Sequence, residues 1–275
     1  MYKVYDENNV KVNVTEKQLE ESLNQSGLQL PLEIIGAMGE SLDPKFAPRL
    51  QEALYHDKQR NRITAIYGLL SLLNKDHIDK LREKERNIPI EDLSKQISEK
   101  AILQAALIRL EYGAEGAMHA FLSEETIPQI KSLLIYNYSS SNMQLNKKDI
   151  EFLVTALELY VCKKELWIQN MKKNDYEEDV IACLEALLRV SETSSILSHL
   201  ENDLYNKLIS YCSELLQVKI DPYAKELIVT FARALPPKLA YTMLEPIMDG
   251  RARGDIRKEL KFTIEILQKR EQEME

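Results

Sequence analysis

The sequence predicts an all-α protein, and three observations carry that reading. Its 275 residues include 8 glycines, where average usage would place about 19. Between Gly116 and Gly250 there is no glycine, and between Pro128 and Pro222 no proline, so the strongest helix breakers are missing from the middle of the chain. Apolar residues recur at helical spacing along most of the remainder. Glycine supplies the positive φ of tight turns, bulges and phosphate-cradling loops. Its scarcity therefore argues against a many-turned β-sandwich or a doubly wound α/β sheet.

The elements follow in order. Tyr2 to Val14 alternates apolar and polar residues around Asp6-Glu7-Asn8-Asn9, which predicts a small β-hairpin over residues 1–14. Thr15 with Gln18 three residues on has the pattern of a capping box, so a short helix should run to about Asn24. Pro31 opens an apolar segment through Leu42, and Asp43-Pro44 starts a helix with proline in its first turn. Phe46, Leu50, Ala53 and Leu54 share one face. A turn at residues 56–59 leads into a helix whose Ile63, Ile66, Leu69, Leu70 and Leu73 point inward. A charged helix over residues 76–86, a long helix over 91–112 and shorter ones over 114–121 and 127–136 come next.

Residues 136–146, with three consecutive serines, form the most loop-like stretch, either a domain boundary or an exposed functional loop. Helices are then expected over 148–171, 176–190, 195–218, 222–235, 237–248 and 256–273. The expected organisation is the hairpin followed by one helical-repeat domain over 15–275, with a sub-boundary at 137–146.

The stretch Pro44 to Leu73 resembles a HEAT repeat. A proline enters the first helix, Asp57 sits in the turn, and Arg62, Ala65, Leu69 and Leu72 keep the second-helix spacing. In two respects it departs from the family pattern: Asp57 lies one residue closer to the arginine, and Ile63 follows the arginine where the β-branched residue usually precedes it. The resemblance implies a right-handed α-α superhelix of irregular HEAT- or armadillo-like hairpins, in which aspartate and arginine side chains tie neighbouring turns together. The shifted Asp57 puts that ladder in doubt. The same spacing recurs at Lys100, Ile150, Val180 and Tyr205, but at uneven intervals, and any amphipathic helix produces it. A compact helical bundle is the alternative. Gly68, inside the second helix, costs about 1 kcal/mol relative to alanine and calls for close approach of a neighbouring helix.

Charge and motifs narrow the function. A net charge of -8 opposes general attraction to phosphate backbones or anionic lipid. No apolar run is long enough to span a membrane, and the first residues carry no signal-peptide core. Cys162, Cys183 and Cys212 are widely spaced within helical patterns. They predict reduced core thiols and a cytoplasmic setting rather than a disulfide framework.

His56, His77, His119 and His199 lack a histidine or cysteine at metal-ligand spacing, and there is no phosphate loop, nucleophile elbow or zincin motif. No metal, no cofactor and no catalytic residue are therefore expected. The predicted function is a non-enzymatic scaffold or adaptor that binds a protein or peptide through a groove or edge of the solenoid. An immunity protein or an assembly chaperone would fit equally well. Tyr136 and Tyr138, flanking the serine loop, are candidate contact residues, because tyrosine suits interfaces.

The alternative is nucleic-acid binding, or base excision resembling that of the HEAT-like DNA glycosylases. It would use Lys163, Lys164 and the single tryptophan, Trp167, although a half-buried core tryptophan explains the same pattern.

Overall fold

In the computed structural model, the described residues are 1–95, 97–162, 173–193, 202–250, 252 and 254–274. They form two short strands and thirteen α-helices, in two compact units, Met1–Gln144 and Leu145–Glu275. The division between the two units falls between Gln144 and Leu145.

The N-terminal unit begins with β1 (Tyr2–Tyr5) and β2 (Lys11–Val14), paired antiparallel with Val4 opposite Val12. The Asp6 carboxylate closes the turn by accepting from the backbone N–H of Asn8 and Val10. Val4 and Val14 are buried. α1 (Glu16–Ser22) starts with the expected capping box: the Thr15 hydroxyl accepts from Gln18 N, and the Gln18 amide oxygen accepts from Thr15 N.

The central packing of this unit runs through α2 (Leu32–Ser41), α4 (Gln59–Ser71) and α6 (Glu99–Leu122). α4 lies against both α2 and α6. α3 (Ala47–Ala53) packs on α4, while α5 (Ile78–Arg86) and α7 (Pro128–Ser140) pack on α6. Gly68 is buried where α4 meets α2. A Cβ placed on Gly39 would stand 2.8 Å from the Gly68 Cα, so the two backbones approach as closely as the sequence reading of Gly68 required. Any side chain there would push the helices apart.

Two boundaries differ from expectation. The helix expected from residue 91 begins at Glu99, preceded by a 3-10 turn at Ile90–Ser94. The cause is a double cap: the Ser98 hydroxyl accepts from Ala101 N, and the buried Asp92 carboxylate accepts from Lys100 N. Helix α7 runs on through Ser140, so the start of the expected loop is helical. Ser141 Oγ donates to the Asn137 carbonyl, while the buried Asn137 side-chain amide has no hydrogen-bond partner among the described residues. The break expected after Tyr112 is present, since Gly113 adopts φ 69° and ψ −161° inside α6.

The C-terminal unit comprises α8 (Lys147–Cys162), α9 (Lys173–Thr193), α10 (Asn202–Gln217), α11 (Pro222–Phe231), α12 (Pro237–Met248) and α13 (Gly254–Met274). Each helix packs on the helix two places along: α8 on α10 and α10 on α12, α9 on α11 and α11 on α13. Alternate helices therefore share a layer. Phe152, Leu187, Leu215 and Phe231 are all buried in this unit, and the Tyr160 hydroxyl donates to Asp179 at 2.6 Å between α8 and α9.

Candidate functional site

The residues singled out between Pro44 and Leu73 are close together but bonded differently from the pattern of the family the stretch resembles in sequence. Arg62 Nη1 donates to the carbonyls of His56 and Asp57, both at 2.8 Å. Its Nη2 meets Glu99, at the start of α6, at 2.8 Å. Asp57 itself is exposed and offers Arg62 its backbone oxygen. The tie between neighbouring elements is thus Arg62 to Glu99 rather than Asp57 to Arg62. Ala65 and Leu69 are fully buried, and Leu72 is half-buried at the end of α4.

Glu99 belongs to a polar cluster at the start of α6. Lys84 stands 3.4 Å from it. Lys100 Nζ reaches Glu85 at 2.8 Å and the carbonyls of Glu85 and Ile88. Gln104 donates to the same Glu85 carboxylate at 2.9 Å. Burial alone would push the Glu85 carboxyl up. The Lys100 ammonium, the Gln104 amide and the charge of Arg86 outweigh it and hold the group below the usual carboxylate range. Burial likewise raises Asp92, but the Lys100 N–H, the Lys95 ammonium and the Ser98 hydroxyl bring it below its ordinary value. Every group in this cluster has a partner, so its role is to fix the start of α6 on α4 and α5.

Next to the cluster, α5, α6 and the start of α7 frame an open groove of about 610 Å³. Its apolar lining comes from Leu93, Leu107, Ile108, Tyr112, Ile127 and Ile130, and Arg82, Arg86, Glu111 and Glu125 stand at its margin. Arg82 donates to Glu111, linking α5 to α6. The break at Gly113 shapes the groove: α6 changes direction immediately after Tyr112, and the ring is left 66% exposed. Ile127, just before α7, is 40% exposed. Large apolar side chains from two segments, Tyr112 and Ile127, are thus left in solvent on the groove lining, which costs free energy until something covers them.

Tyr138, expected to be a contact residue, is fully buried, its ring 5.8 Å from the Arg109 guanidinium. This corrects the reading of an exposed pair flanking the serine segment: because α7 extends to Ser140, Tyr138 lies on a helix face that packs inward. Tyr136 is half-buried on the same helix. Lys163, Lys164 and Trp167 lie outside the described residues. The groove residues were not singled out from sequence. The signal was Tyr112 standing directly before a glycine that breaks an apolar helix.

Burial holds the His77 imidazole below its ordinary value, against a weaker pull from Asp76, and its Nδ1 pairs with Gln51. Burial, helped by the charge of Asp179, pushes the Cys183 thiol well up, and burial alone takes Cys212 to about 12, so both stay protonated and inert. No group of three histidine, cysteine or acidic residues placed to hold a metal occurs among the described residues. No helix among them is long and apolar enough to cross a membrane. No family model, no curated protein and no solved structure matches the chain.

Proposed function

We propose that this chain is a non-enzymatic protein-binding scaffold built from stacked HEAT-like helical hairpins, and that the α5–α6–α7 groove receives an amphipathic helix of a protein partner. One observation carries the reading: Tyr112 and Ile127 are both exposed on the lining of one apolar groove whose margin is charged. An apolar floor with charged margins suits a helix with one apolar face and polar flanks, anchored at intervals of three and four residues. A large aromatic at the centre of such a groove is the usual energetic anchor. The alternate-helix packing of the C-terminal unit and the Gly39–Gly68 contact support the stacked-hairpin architecture, since each hairpin then covers the next. An adaptor, an immunity protein and a chaperone all fit this reading.

Affinity capture with the full chain, followed by binding measurements on the purified partner, tests it. Tyr112→Asp is expected to weaken binding by at least about tenfold, because the carboxylate would have to be buried against the partner's apolar face. Unchanged binding in both Tyr112→Asp and Ile127→Asp, or turnover of a small molecule or nucleic acid by the purified chain, would contradict the proposal.

A further inference from the structure

A second concavity, on a different part of the N-terminal unit, has a different chemistry. The β-hairpin, α2, α4 and the residues after α7 enclose a pocket of about 280 Å³. Gly36, Gly39 and Gly68 lie on its lining, where α2 and α4 come closest. Its walls carry the hydroxyl-bearing side chains of Thr64, Tyr67 and Ser71. The Tyr67 hydroxyl is hydrogen-bonded to Ser140, and Ser71 Oγ donates to the Tyr67 carbonyl while accepting from Asn142 N. This polar wall is therefore held in place by its own bonds.

The charges in the pocket are unequal. Lys3 from β1 and Arg60 from α4 stand on its lining, against a single carboxylate, Glu40, which already accepts from the Asn142 amide. Arg60 donates to neutral groups, the Glu7 carbonyl at 3.2 Å and the Asn9 side-chain oxygen at 2.5 Å. Those bonds fix the guanidinium without neutralising it. In a chain of net charge -8, a pocket with two cations and one carboxylate is a local reversal of sign.

We infer that this pocket binds a small phosphorylated polyol, of about triose- to pentose-phosphate size. A phosphomonoester carries about −1.5 to −2 charges at neutral pH, which Lys3 and Arg60 together balance, whereas a lone carboxylate would leave one cation unmatched. The hydroxyls of the ligand meet Thr64, Tyr67 and Ser71, and Glu40 accepts from the hydroxyl furthest from the phosphate. The glycines on the lining let the carbon chain approach the backbone.

Isothermal titration of the full chain with glycerol 3-phosphate, ribose 5-phosphate, inorganic phosphate and unphosphorylated ribose tests this inference. The expected result is a Kd below about 1 mM for at least one of the two phosphorylated polyols. Inorganic phosphate should bind more weakly and ribose not measurably. Lys3→Glu, an exposed strand position, should weaken binding about tenfold or more. Gly36→Leu should abolish it by filling the pocket, and its Cβ meets only ordinary contacts, with Val4 at 3.5 Å. Circular dichroism checks that both variants fold. Absence of binding by both phosphorylated polyols at about 10 mM, ribose binding as tightly as its phosphate, or Lys3→Glu binding as well as the wild type would each overturn the inference.

Discussion

The two units solve the same packing problem with different means. The C-terminal unit has no glycine between its first residue and Gly250. Its helices alternate between two layers, each packing on the next but one. The N-terminal unit contains six of the 8 glycines, at positions 27, 36, 39, 68, 113 and 116. Its helices are interrupted by 3-10 turns at Gly27–Gln29, Pro44–Phe46, Lys75–His77 and Ile90–Ser94. Both concavities argued to bind something lie in this interrupted unit. The C-terminal unit keeps a concavity of its own, about 520 Å³, where the ends of α10 and α12 meet the start of α11 near Pro222 and Pro246. Where breakers occur, one helix comes unusually close and the next turns away, which leaves a pocket at Gly36–Gly68 and a groove at Gly113. In the N-terminal unit the carboxyls of Asp43, Glu52, Glu85 and Asp92 are held below their ordinary range.

The comparison can be broken by substitution, with stability followed by hydrogen exchange read separately over each unit. The largest effect is expected from Glu99→Ala. It strands Arg62 and Lys84, 20% and 14% exposed, beside an empty site. Leaving buried charge unpaired costs about 3–5 kcal/mol, and the loss should be confined to the N-terminal unit. Gly39→Leu should cost about 3 kcal/mol there, because the added side chain meets backbone that cannot rotate aside. Gly113→Ala should cost about 2 kcal/mol, since its φ and ψ lie in a region essentially reserved for glycine. It should also redirect the second half of α6 and reshape the groove. Equal destabilisation of both units by any of the three would show that the units are not independently held.

Acid should act more gently but in the same place. Glu85 and Asp92 have folded-state values below the ordinary 4.5 and 3.8, so the unfolded chain takes up their protons first. Their contribution is complete above those ordinary values and is lost as pH falls through the lower folded ones. An acid titration should therefore show N-terminal amides losing protection as pH drops below about 4.5. Protection in that unit that holds constant down to pH 2 would contradict the assignment.

Local signals were legible in the sequence. Thr15 and Gln18 announced their capping box, the residues flanking Asp6–Asn9 their hairpin, Gly113 its break and Gly68 its close neighbour. What was missed depends on partners distant along the chain. The 91–112 helix starts late because Asp92 folds back onto Lys100 N, a bond that periodicity cannot reveal. Arg62 finds Glu99, 37 residues away, in place of the adjacent Asp57. Tyr138 was misread as exposed because a serine run looks like a loop, although serines at a helix end can bond back to carbonyls, as Ser141 does to Asn137. The groove was hidden for the same reason: Leu93, Tyr112 and Ile127 come from separate segments and meet only after α6 has broken.

The most direct test of the account is hydrogen exchange on the full chain with and without its purified protein partner. The account predicts new protection over residues 104–130, around Tyr112 and Ile127, with the C-terminal unit unchanged. Protection confined to the C-terminal helices, with residues 104–130 exchanging as in the free chain, would contradict it.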